Sequence, residues 1–230
     1  MNKIIIAILA IIILGGGIYY WFFFGQQTKK IEEAITNLPT SIQSEIATDN
    51  LAVNNLPATN IKPDFQPPIN RADERVTKKP FGVFITPQNS PIQPEKFSGF
   101  HTGADFEIFP EESNAEVEIN AVCSGKLVLI KHVSGYGGVA VEQCELDNEP
   151  ITVLYGHLKL ASISLNVSDE LQTGDKIGNL GMAESAETDG ERKHFHLAFH
   201  RGEGIELKGY VQNQEELTQW IDPCLYICDN

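Results

Sequence analysis

His194-Phe195-His196-Leu197-Ala198-Phe199-His200 is the stretch on which the reading of this chain turns. In an extended strand successive side chains point to opposite faces. His194, His196, Ala198 and His200 then share one face, and Phe195, Leu197 and Phe199 share the other, which is wholly apolar. The alternation predicts a half-buried strand whose polar side is crowded with imidazoles. Imidazoles side by side suit a metal or a proton transfer that uses them. The plainer reading is a half-buried edge strand with ordinary surface histidines, and the stretch alone leaves both open.

Working outward, short apolar runs alternate with turn residues over 116–122, 126–131, 138–143, 151–157 and 176–180. Turn chemistry separates them at Ser124-Gly125, Ser134-Gly135-Tyr136-Gly137-Gly138 and Asp147-Asn148. No long helical periodicity intervenes, although a short helix is expected around 213–220. Strands at this spacing predict a mainly β domain, an antiparallel sheet or open barrel-like assembly, over residues 81–230. Two further motifs lie within it. His101-Thr102-Gly103-Ala104-Asp105 places an imidazole and a carboxylate four residues apart, both good zinc donors, with Gly103 free to bend the backbone between them. Tyr155-Gly156-His157-Leu158 closes the apolar run from Ile151. Each is weak alone, since a chance His-x-x-x-Asp on a surface loop or a solvated strand-end histidine is common.

Before this domain the texture differs. From Ile4 to Phe24 no residue is charged. Twenty-one helical residues rise about 31 Å, against a hydrocarbon core of roughly 30 Å. The run ends in Tyr19-Tyr20-Trp21-Phe22-Phe23-Phe24, which suits an aromatic belt and suits signal-peptide cleavage badly. Residues 1–24 are therefore expected to be an uncleaved transmembrane anchor. Residues 25–80 are rich in Asn and Pro after a stretch, 31–46, that would form a short amphipathic helix; they read as a largely irregular stalk, with an inhibitory pro-segment as the sharper alternative.

The 230 residues carry a formal net charge of -14, and such an acidic surface repels phosphate backbones, so nucleic acid is not an expected partner. Lys3 on one side of the apolar run and Lys29 and Lys30 on the other favour the wrong end inside, if weakly. The four cysteines argue the opposite way: an even number in a small β domain fits disulfides in an oxidising compartment. Cys123 and Cys144, closing neighbouring strands, suit a cross-strand bridge. Cys224 and Cys228 are within reach of one another only in a tight turn. Four buried cytoplasmic thiols are the alternative; a four-cysteine zinc site lacks the usual spacing on both sides. The domain is expected outside the cytoplasmic membrane.

Taken in order and with these intervals, His101-Thr-Gly-Ala-Asp105, Tyr155-Gly156-His157-Leu158 and His194-Phe195-His196 resemble the lysostaphin/LytM-type zinc metallopeptidases, which cleave peptidoglycan peptides. The resemblance runs from about Phe81 to Tyr226 and includes Ser134-Gly135-Tyr136-Gly137, Gly174-Asp175-Lys176-Ile177-Gly178 and Ile221-Asp222-Pro223. It implies one zinc ion per chain held by His101, Asp105 and His196, with His157 and His194 catalytic. Three protein ligands leave a fourth position open, as a catalytic zinc requires. The sequence departs from the family at Ala198, where an acidic residue is usual, so a partner supporting the site is expected to be missing. His132 and His200 lie outside the motifs, with His200 a candidate for the cleft rim, and the acidic insert 181–193 is a candidate cleft wall. The resemblance implies a peptidoglycan endopeptidase; a wall-binding or hydrolase-activating module of the same fold is the alternative, but such relatives typically lack one or more of the five residues, and all five stand here. A structural stalk protein storing metal on its histidines leaves the ordered motifs unexplained.

Overall fold

The strand that carries His194 and His196 is not at an edge. In the computed structural model, which describes residues 65–228, it spans His194–Arg201 and has neighbours on both sides. The strands are, in chain order, β1 (Phe84–Ile85), β2 (Gly99–His101), β3 (Ala104–Glu107), β4 (Glu118–Asn120), β5 (Gly125–Val133), β6 (Gly137–Leu146), β7 (Glu149–Gly156), β8 (Glu170–Leu171), β9 (Lys176–Asn179), β10 (His194–Arg201), β11 (Tyr210–Val211) and β12 (Trp220–Ile221). A seven-stranded antiparallel sheet runs β12-β10-β7-β6-β5-β8, with β3 also paired to β10. Two small sheets, β1-β2-β11 and β4-β9, complete the assembly. The sheet is open, and the antiparallel reading of the sequence holds.

β5, β6 and β7 form a meander. The β6–β7 turn is the Asp147-Asn148 pair, whose φ values of 54° and 64° are those of a two-residue type I′ hairpin. α1 (Gln214–Leu217) falls where a short helix was expected, capped by the Asn213 side chain accepting from Glu216 N. α2 (Cys224–Ile227) makes the tight turn that the last two cysteines need, and Cys123–Cys144 and Cys224–Cys228 are both disulfides, with Cα separations of 6.5 and 4.6 Å.

The two faces of β10 serve different cores. Phe195, Leu197 and Phe199 are fully buried with Phe106, Leu127, Val153 and Tyr155 in the main cluster. On the opposite face Ala198 packs among Tyr136, Val139, Val141, Leu154 and Trp220. Position 198 is therefore an apolar packing site, where an acidic side chain would be buried among hydrocarbon and cost several kcal/mol unless paired.

The packed unit begins earlier than Phe81. Residues 65–80 are irregular, as a stalk would be, but Ile69 and Ala72 enter the main core and Arg75 is 1% exposed. The Arg75 guanidinium forms a fork with Glu112 at 2.7 and 2.8 Å and lies over the Phe109 ring. Backbone bonds from Glu107 N to Arg75 O and from Asp105 N to Lys79 O stitch this segment along β3. Asn and Pro content conceals this because the segment is held by a neighbouring strand's backbone rather than by its own periodicity. The expected membrane anchor 1–24, the helix 31–46 and the rest of the stalk lie outside the described residues. Among the described residues no helix is long and apolar enough to cross a membrane.

Candidate metal centre

One rung across three strands builds the site. β10 pairs with β3 so that His196 faces Asp105, and with β7 so that His196 faces Gly156. His157 follows immediately on Gly156, and His101 closes β2 just before β3. Thus the three motifs, far apart in sequence, meet because antiparallel register puts them at one level.

Three donor atoms converge. His101 Nε2 is 3.2 Å from His196 Nδ1 and 3.3 Å from Asp105 Oδ1, and His196 Nδ1 is 3.0 Å from the same oxygen. A tetrahedral zinc with bonds of about 2.0–2.1 Å needs donors about 3.3 Å apart, so this triangle fits such an ion. Tautomers support the fit. His101 Nδ1 lies 3.2 Å from the Pro80 carbonyl, which only accepts, so Nδ1 carries the proton and Nε2 offers its lone pair. His196 Nε2 lies 3.4 Å from the Tyr136 hydroxyl, and a proton placed there leaves Nδ1 free as a donor. Burial, partly offset by the bond to Asp105, lowers the His196 pKa to about 4, so the ring is neutral at physiological pH. Burial alone would raise the Asp105 pKa, but His194 and His101, which become cations beside it when they take up a proton, hold it well below the ordinary carboxylate range.

Gly103 is needed for space rather than for bending. A Cβ there would collide with the Leu197 carbonyl oxygen and come within 2.8 Å of His196 Nε2. Gly156 is constrained alike, since its Cβ would stand 2.8 Å from Tyr136 Cδ1 and 3.2 Å from His196 Cβ.

His157 and His194 stand beside the triangle, their ring centroids 4.1 Å apart. His194 Nδ1 donates to the Arg192 carbonyl at 2.9 Å, which directs Nε2 toward Asp105 Oδ2, 3.3 Å away. His157 has φ +62°, a left-handed conformation sparsely used by side-chain-bearing residues and tolerated best by Asn, Asp and His. Burial first, then the neighbouring His194, pushes its pKa well below the ordinary value, and its Nδ1 is buried without a hydrogen-bond partner.

That cleft encloses about 300 Å³, and the five residues of the three motifs all line it. Phe97, Tyr210 and Leu207 form its apolar wall, with Tyr210 stacked on Phe97 at 5.6 Å. The insert 181–193 contributes only Glu191 and Arg192 to the cleft; Asp189 instead accepts from Gly135 N, tying the insert to the Gly-rich turn. His200 is not a rim residue: it packs edge-on against Trp220. His132 is exposed on β5. The sequence reading missed Arg192, whose guanidinium bonds Asp105 Oδ2 at 2.9 Å, together with Tyr136, Tyr210 and the Pro80 carbonyl. Ala198 offers the site no polar partner, and Pro80, Tyr136 and Arg192 contact it from other elements.

Two imidazoles and a carboxylate converging beside two further cleft imidazoles are the donor chemistry of a metallohydrolase. Residues 99–208, just under half of the chain, match the model of peptidase family M23. Among solved structures the chain is similar to CbpA from L. salivarius REN (22% identity, TM-score 0.46, covering 70% of this chain and 94% of that one). It is also similar to LytU (21%, 0.43, 65% and 84%) and to lysostaphin from Staphylococcus simulans (19%, 0.42, 67% and 49%). This chain thus spans about half the length of lysostaphin. No curated protein matches the chain.

Proposed function

We propose that the chain is a zinc-dependent endopeptidase that hydrolyses peptide bonds in peptidoglycan, in the cross-bridge or the stem peptide. The observation that carries this reading is the triangle of His101 Nε2, Asp105 Oδ1 and His196 Nδ1, with edges of 3.0–3.3 Å, placed in the same cleft as His157 and His194. Zinc held there by His101, Asp105 and His196 would supply Lewis acidity toward a peptide carbonyl and toward water near neutral pH. His194 takes the water's proton at Nε2, and the resulting imidazolium is stabilised by Asp105 Oδ2, 3.3 Å away. His157 donates a hydrogen bond to the developing oxyanion or steers that proton to the departing amine. The apolar wall of Phe97, Leu207 and Tyr210 orients the substrate and sheds water from the reacting bond.

We further propose that the domain works outside the cytoplasmic membrane, tethered by residues 1–24. Supporting this are the uncharged run from Ile4 to Phe24 and the two disulfides of the domain. The test is to incubate the full chain and zinc with purified peptidoglycan and identify the released peptides by mass. New amine ends that vanish with a chelator are expected. No release from walls of several cross-bridge types would overturn the reading.

A further inference from the structure

Arg192 stands two residues before the start of β10, and it touches the site in two ways at once. Its Nη2 donates to Asp105 Oδ2 at 2.9 Å, while its main-chain carbonyl accepts from His194 Nδ1 at 2.9 Å. The same guanidinium is itself held by Glu107, which accepts from Nε at 3.1 Å and from Nη2 at 2.6 Å. Asp105 and Glu107 are two apart on β3 and so point to the same face. The head group is mostly enclosed, 18% exposed, at the wall of the cleft.

The geometry points to Arg192 as the positioning residue of this centre, an inference that rests on the metallopeptidase reading above. The last torsion of an aspartate is broad and two-fold, so its two oxygens exchange at little cost unless one is held. Holding Oδ2 leaves Oδ1 alone to complete the triangle with His101 and His196. Through its carbonyl, Arg192 also keeps the His194 proton on Nδ1 and the lone pair of Nε2 toward the cleft. A bare guanidinium this close to a metal-binding carboxylate would repel a divalent cation. Here Glu107, which also accepts from the largely exposed Lys78 at 3.1 Å, offsets that charge, so Arg192 orients Asp105 without standing as a bare cation beside it. Orientation is what remains.

The experiment removes the pair without changing the charge. In the full chain, Arg192→Gln combined with Glu107→Gln is compared with the parent by zinc competition against a chromophoric chelator. The visible spectrum of the cobalt-substituted protein serves as the second readout. Zinc affinity is expected to fall about 10–100-fold. The cobalt bands are expected to change in position and intensity as Asp105 turns to offer both oxygens. Affinity and cobalt spectrum equal to the parent, with only a lower melting temperature, would overturn the proposal and leave Arg192 a clamp between strands. Should the double variant fail to fold, Arg192→Lys keeps the charge but not the fork; an intermediate loss of affinity supports the proposal and no loss overturns it. A parent chain that binds neither zinc nor cobalt stoichiometrically sinks the metallopeptidase reading, and this one with it.

Discussion

Asp105 on β3 and Glu142 on β6 are both carboxylates shut away from water, 3% and 0% exposed, yet their proton affinities are pushed in opposite directions. Asp105 is ringed by His101, His194 and His196 and by the Arg192 guanidinium, and it stays ionised. Glu142 lies under the sheet with one partner, the Tyr155 hydroxyl at 2.6 Å, and its Oε1 is buried without any. Burial raises the Glu142 pKa to about 7, against the lowering pull of Tyr155 and with a smaller push from Asp175. Equal burial therefore gives unequal chemistry. What decides is whether cationic or donor groups were brought in along with the acid.

The largest effect is expected at Gly103. Gly103→Ala drives a methyl into the His196 ring and the Leu197 carbonyl, so the triangle opens on the Asp105 side of the comparison. Zinc affinity should drop at least about 100-fold, beyond the range for losing a supporting partner. Chelator competition reads this, and parent-like affinity would show that the crowding around His196 relaxes freely.

On the Glu142 side the effect is one of stability. The folded-state pKa of about 7 lies above the unfolded value of about 4.3, so the folded state holds the proton more tightly. The associated stability is present below pH about 4.3 and is lost as pH rises through about 7. The loss approaches about 4 kcal/mol over that window at 1.36 kcal/mol per unit. Denaturant midpoints of the metal-free chain across this range measure it. Glu142→Gln, which cannot ionise, should remove that slope, and an unchanged slope would mean that Glu142 is not its source.

The smallest effect belongs to a pair that water does reach. Lys96 Nζ lies 3.2 Å from Glu191 Oε1, but Lys96 is largely exposed. Lys96→Ala should alter stability by no more than about 1 kcal/mol, and less at high salt. A larger loss would indicate that this link between the insert and the loop before β2 is structurally coupled to the cleft.

Much of this was legible in residue order. The alternation His194-Phe195-His196-Leu197 announces a two-faced strand, but the imidazole face, expected to be half-exposed, is buried as well. Asp147-Asn148 announces its hairpin through residues that tolerate positive φ. The two-residue strands β1, β8, β11 and β12 were not legible, because two residues show no period. Nor was the role of residues 65–80, whose Ile69, Arg75 and Pro80 acquire meaning only from β3 and the site beside them. Within the centre, the residues that converge and their spacing could be read, but the partners that orient them could not. Arg192 sits in an acidic insert and looks like one more surface charge until β3 is placed next to it.

The central claim is that His194 moves a proton in a centre whose metal it does not hold. The most direct test is peptide release from peptidoglycan by the His194→Ala full chain, measured beside its zinc content. The account predicts one zinc per chain as in the parent and a rate lower by about 10²–10⁴-fold, the usual contribution of a positioned base. Loss of zinc together with activity, or a rate equal to that of the parent, would contradict it.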